Sequence, residues 1–231
     1  MNGTAIQNVV ASDTRVDRGA RAFAIRLTVT SVALLIWFWT QSLIGARGLP
    51  GAVISDRLHG ATAPMNLYLH AHPTAANVLL IVSSAIIDLL GLFLLSRWIF
   101  GASVRPFVGL VIVLGLRQIA QALVTLPAPP NALWHYPGFP SLLVTYGVAN
   151  DYFFSAHTAI AVVAATELAR LRGWLTGLGV LMVVFEMLTV LVLRAHYTMD
   201  VFTGVVTGLY AVHLANCIAA RVESRRTATK F

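Results

Sequence analysis

Six long apolar runs govern what this chain can fold into: residues 22–45, 76–100, 106–126, 155–171, 174–193 and 198–220. A bilayer core takes about 20 mainly apolar residues per helix. Backbone N–H and C=O groups in lipid must be satisfied within the segment, so runs of this kind become helices. With 58% hydrophobic and 11% charged residues, the composition agrees. The expected fold is all-α, a polytopic membrane protein of six transmembrane helices. Residues 1–21 are expected as a cytoplasmic N-terminal tail, 22–220 as the six-helix membrane domain and 221–231 as a cytoplasmic C-terminal tail. The first 20 residues are polar and lack the apolar core of a cleavable signal peptide.

The net charge of +7 would suit nucleic acid if the basic residues were clustered. They are dispersed between the apolar runs, so no nucleic-acid partner is expected, and topology accounts for them. With the N-terminus inside, Arg15, Arg18, Arg21, Arg26, Arg97, Arg105, Arg170, Arg172, Arg221, Arg225, Arg226 and Lys230 are cytoplasmic. Only Arg47, Arg57 and Arg194 lie on the outer side, and Arg117 falls inside a run. Twelve against three is a strong positive-inside bias. It returns both termini to the cytoplasm and leaves two long connections, 46–75 and 127–154, on the periplasmic or exoplasmic side. The second holds Pro127, Pro129, Pro130, Pro137 and Pro140 with Trp134, Tyr136, Phe139 and Tyr146. It reads as a lid or lipid entrance, or as aromatic anchoring at the headgroup zone. Cys217 stands alone, which excludes an intramolecular disulfide.

Two polar strings fall on that same outer side: Asp151-Tyr-Phe-Phe-Ser-Ala-His157-Thr158 and His196-Tyr-Thr-Met-Asp200-Val201. Ionisable groups at membrane depth are expensive and mark functional sites. On a helix His196 and Asp200, four apart, would share a face. A carboxylate there would hold one ring N–H and leave the other nitrogen free to attack an electrophile. His157 could then supply a proton to a leaving group. Ser155 reads as an N-cap, so the first amides of its helix, from Ala156, would favour an anionic group. Neither string pairs ligands at a familiar zinc spacing, so no metal and no cofactor are expected.

The strings resemble the two active-site motifs of the sphingomyelin synthase-related lipid phosphotransferases, a branch of the type-2 phosphatidic acid phosphatase superfamily. In the first, Asp151, Ser155, His157 and Thr158 fall at the family spacing. Ala156 replaces a glycine, and Ala149-Asn150 replace Cys-Gly. His196-Tyr-Thr-x-Asp-Val matches the second throughout. Arg117 with Thr125-Leu-Pro-Ala-Pro129 resembles a further, weaker stretch. The likeness spans roughly residues 110–205. Arg105-Pro106 imitates a phosphate-clamping motif of the wider superfamily, but the lysine seven earlier is Trp98. The superfamily arginine six before the second histidine is Val190 here.

The resemblance implies a membrane enzyme acting on lipid phosphate esters, with its site between helices at the outer face. In that scheme His196 attacks phosphorus, Asp200 stabilises it through a hydrogen bond, and His157 is acid and then base. Asp151, Ser155, Ala156, Arg117, Arg194 and Tyr197 are candidates for substrate binding. Arg117 has an alternative role, pairing with Asp88, Glu167 or Glu186, and Arg194 a second one as an interfacial anchor. Membrane lipids are the expected substrate and acceptor. A lipid alcohol as acceptor gives headgroup transfer, and water gives a phospholipase C or phosphatase acting on phosphatidic acid or polyprenyl diphosphate. A non-catalytic lipid-binding protein is the remaining alternative.

Overall fold

The computed structural model describes residues 3–46, 54, 56–146 and 152–228, with side chains from Gly19 to Arg225 except Ile44. The described residues form eight helices and no strand: α1 (Gly3–Gly45), α2 (Arg57–Ala61), α3 (Ala63–Ala71), α4 (Pro73–Ile99), α5 (Arg105–Leu123), α6 (Ala156–Ala169), α7 (Leu175–Val192) and α8 (Thr198–Ala228). Five are long and apolar enough to cross a membrane, over Gly19–Leu43, Pro73–Ile99, Arg105–Leu123, Leu175–Val192 and Thr198–Arg225. The chain is an integral, multi-pass membrane protein. Prolines open α4 and α5 and sit within the first turn of α3, where their missing N–H is harmless. α1 and α8 run as helices into the expected tails.

The fourth expected span is the exception. α6 has 14 residues, about 21 Å at the helical rise, against a hydrocarbon core of about 30 Å. It does not face lipid either. From Ala156 to Ala164 every residue is buried, because α4, α5, α7 and α8 all pack around it. Small side chains make this possible, as at other close helix contacts in membranes. A Cβ on Gly204 of α8 would lie 2.6 Å from the Ser155 carbonyl oxygen, and one on Gly208 would lie 2.9 Å from that of Ala159. α8 thus seats directly on the start of α6, where the backbone N–H of Ser155 donates to the Asp200 carbonyl at 3.1 Å. That seat brings the two histidine strings together.

The described parts of the two long connections are built rather than loose. Residues 57–71 form α2 and α3. Asn66 Nδ2, buried, donates to the Val192 carbonyl at 2.8 Å, and Leu133 N–H donates to the Leu193 carbonyl at 2.8 Å. Asp88 of α4 accepts from Ser141 Oγ and from the amides of Leu142 and Leu143, all within 2.9 Å. This holds the proline-rich segment against the bundle. α1 leans on α4 and α5, and Arg26 Nη1 donates to the Ile99 carbonyl at 2.9 Å, at the C-terminus of α4, where a cation is favoured.

Candidate active site

The turn between α7 and α8 sets the position of His196. Leu193 closes α7; the Arg194 N–H then donates to the Leu191 carbonyl and the Ala195 N–H to the Val190 carbonyl, at 3.2 and 2.9 Å. With Arg194 at φ 56°, this is a Schellman turn whose left-handed position holds arginine where glycine is usual. Its backbone strain is of order 1–3 kcal/mol. The turn reverses the chain so that His196 arrives ahead of α8, not within it.

This overturns the expected His196–Asp200 hydrogen bond. α8 begins at Thr198, so the i,i+4 helical face does not exist for this pair. Asp200 Oδ2 accepts from the Tyr197 N–H at 2.8 Å, capping its own helix as the third residue of a capping box does. It stands 3.8 Å from His196 Nδ1, close enough to stabilise a positive ring without bonding to it. His196 Nδ1 bonds instead to the Tyr152 carbonyl at 2.7 Å. A carbonyl can only accept, so the neutral ring carries its proton on Nδ1 and keeps the lone pair on Nε2.

His157 follows the first residue of α6, whose cap is Ser155: Oγ accepts from the Thr158 N–H at 3.4 Å. The His157 ring is buried, edge-on to Trp134 at 5.3 Å between centroids. Neither of its nitrogens has a hydrogen-bond partner among the described residues. His157, His196 and Arg117 line one small cavity of about 10 Å³, together with Ala156, Tyr152 and Trp134. Arg117 therefore faces the same cavity as the histidines. The three carboxylates weighed as its partners are engaged elsewhere: Asp88 as above, Glu167 with Arg105 and Arg170 at 3.5 and 3.4 Å, Glu186 with Ser83 at 2.6 Å. Ala156 takes the glycine position as the first residue of α6, with negative φ, so the replacement is unstrained.

Arg194 and Tyr197 are placed otherwise than the substrate-binding expectation. Neither lines the cavity. Arg194 is buried and donates from Nη2 to the His59 carbonyl. Tyr197 Oη donates to the Pro127 carbonyl at 3.1 Å, and its ring stacks on His59. Ser155 is a buried cap outside the lining. Asp151 lies outside the described residues.

Sequence reading missed Asp56 and His59. Asp56 Oδ1 accepts from the Leu58 N–H as the cap of α2 and from Thr198 Oγ1 at 2.7 Å; its Oδ2 accepts from the Thr198 N–H at 2.6 Å. One carboxylate thus serves the first turns of two helices. Burial acts to raise its pKa, but the bonds from Thr198 and His59 and the nearby His59 ring outweigh it and hold it below the usual carboxylate value. His59 Nε2 donates to the His196 carbonyl at 2.9 Å, and burial above all holds its pKa below the ordinary histidine value. The Asp-Arg-Leu-His string beginning at Asp56 offered a capping signal three residues before a histidine, but nothing in it pointed to residue 196.

A family model described as AtPDCT1/2 matches residues 56–217, a stretch that opens at Asp56 and takes in both histidine strings. The chain belongs to this family. Among curated relatives it is similar to phosphatidylcholine:diacylglycerol cholinephosphotransferase 1 of Arabidopsis thaliana, 24% identical over 194 residues. The match covers 84% of this chain and 62% of the relative. No solved structure matches the chain.

Proposed function

We propose that this protein moves a phospho-headgroup from one membrane lipid to another through a covalent histidine intermediate. The observation that carries the reading is one cavity shared by a histidine at the start of α6 and a histidine in the α7–α8 turn, the latter with its proton held on Nδ1. His196 Nε2 attacks phosphorus, forming a P–N bond as the P–O bond to the diacylglycerol breaks. His157 delivers a proton to the departing oxygen. In the second half the hydroxyl oxygen of a lipid alcohol attacks phosphorus, the P–N bond breaks, and His157 takes the hydroxyl proton. Asp200 stabilises the charged ring between the two steps. Arg117 and the N-terminal amides of α6 face the phosphate.

Headgroup transfer is favoured over phosphate release by charge. A phosphomonoester is nearly dianionic and calls for several cations, usually arginines in a fork. Among the described residues Arg117 is the one cationic side chain on the cavity lining, and Arg194 is turned to α2. A singly charged phosphodiester suits that complement. The Arabidopsis relative's name supports the same class, as does the resemblance to sphingomyelin synthase-related transferases. The test is purified protein with headgroup-labelled phosphatidylcholine, with and without diacylglycerol or ceramide. Acceptor-dependent transfer of label is expected. Faster phosphate release from phosphatidic acid than cleavage of any phosphodiester lipid would replace this reading with a phosphatase.

A further inference from the structure

α1 is braced at both ends and stands away from α5 between them. At one end Arg26 holds the C-terminus of α4. At the other, Gln118 Nε2 donates to Gln41 Oε1 at 2.8 Å, and Gln41 Nε2 donates to Thr145 Oγ1 at 3.2 Å. Between the braces lies an apolar groove of about 300 Å³, walled by Ala33 and Trp37 of α1 and by Leu110, Leu114 and Gly115 of α5. It runs along α5 from Phe107 to Gln118, about 16 Å at the helical rise. That matches the hydrocarbon of one leaflet, half of about 30 Å.

Two features say what fills it. Gly115 lies in the interior of α5, where glycine is destabilising relative to alanine. A Cβ there would meet nothing within 4 Å, so this wall is left open. The groove also ends one residue along α5 from the lining of the histidine cavity. Gln118 follows Arg117, and Thr145, reached through Gln41, lines the histidine cavity. This mouth is uncharged, and Gln118 Oε1 is buried there without a hydrogen-bond donor among the described residues. An amide oxygen lacking a donor suits a hydroxyl, not a phosphate.

We propose that the α1–α5 groove is the acceptor site: it holds one acyl chain of a neutral lipid alcohol of the diacylglycerol class and sets its hydroxyl at the Gln118 end of the groove, toward the histidine cavity. The inference rests on the headgroup-transfer reading and adds to it where the second substrate sits.

The test uses full-length protein in nanodiscs with a diacylglycerol carrying a photoreactive group at the end of one acyl chain. Label is expected on peptides of α1 around residues 30–37 and of α5 around 107–115, displaced by unlabelled diacylglycerol but not by phosphatidylcholine. Gly115→Trp fills the groove; it should lower labelling about tenfold and raise the acceptor KM about tenfold, a loss of roughly one decade in affinity. The donor KM should not move in this variant. Gly115→Leu serves if the tryptophan variant is not monodisperse. Labelling elsewhere, labelling that survives a folded Gly115→Trp variant, or displacement by any phospholipid alike overturns the proposal. Groove labelling without transfer from any donor would keep the site and sink the transferase reading. Transfer without groove labelling would do the reverse.

Discussion

The two histidines occupy opposite kinds of surroundings. Everything near His196 is tied down: Nδ1 to the Tyr152 carbonyl, its own carbonyl to His59, Thr198 to Asp56, Tyr197 to Pro127, and Arg194 to His59. His157 is held by packing, from the helices around α6 and from the edge-on Trp134 ring, with both ring nitrogens unbonded among the described residues. The contrast fits a division of labour. A covalent nucleophile benefits from a fixed tautomer and a fixed angle of attack. An acid–base group must exist in both protonation states, and a strong bond to either nitrogen would hold it in one.

The contrast can be broken from its strongest point downward. His196→Gln should lower turnover about 10⁴-fold or more, the scale of losing a nucleophile, with expression and melting temperature nearly unchanged. His157→Gln should lose about 10²–10³-fold on natural lipids, the range of general acid catalysis. On a nitrophenyl phosphodiester, whose leaving group needs no proton, most of that loss should disappear in the bond-breaking half. Equal losses on both substrates would mean that His157 is not the acid.

Asp56→Ala probes the buttress itself. It removes a cap from two helix starts, each worth roughly 0.5–2 kcal/mol. Through the shift of Thr198 it should also displace His196, so kcat should fall about ten- to a hundredfold while the donor KM moves little. Unchanged kcat in a folded protein would reduce Asp56 to a purely local cap.

The smallest effect is on pH. The folded-state pKa of His59 lies below its unfolded value of about 6.5. Above that value both states are neutral and the native bond to the His196 carbonyl is intact. As pH falls from there toward the folded pKa, the unfolded state takes up the proton first, so stability declines. Melting temperature should therefore drop between pH 7.5 and 5.5, and His59→Gln, which can still donate, should flatten the slope. The Asp56 carboxyl, also held low, matters only in more acid solution, below its unfolded value of about 3.9.

What the sequence made legible follows the same division. Apolar runs and histidine strings are local patterns, and both reappear as helices and as one shared cavity. The run over 155–171 became a helix of only 14 residues, because a helix packed among other helices is as apolar as one facing lipid and need not be as long. The i,i+4 reading of His196 and Asp200 failed because the helix starts between them, after a Schellman turn whose usual glycine signal is replaced by Arg194. Asp56 and His59 lie more than 130 residues from the groups they support, and no local pattern carries such a bond.

The account stands on His196 Nε2 as the covalent nucleophile. Full-length protein should be mixed with headgroup-labelled phosphatidylcholine in the absence of acceptor, quenched in alkali, digested and read by mass spectrometry. The account predicts one alkali-stable, acid-labile phospho-headgroup adduct on the peptide holding His196, absent in His196→Gln and discharged by added diacylglycerol. Active protein that turns over lipid without ever carrying label on that peptide would contradict it.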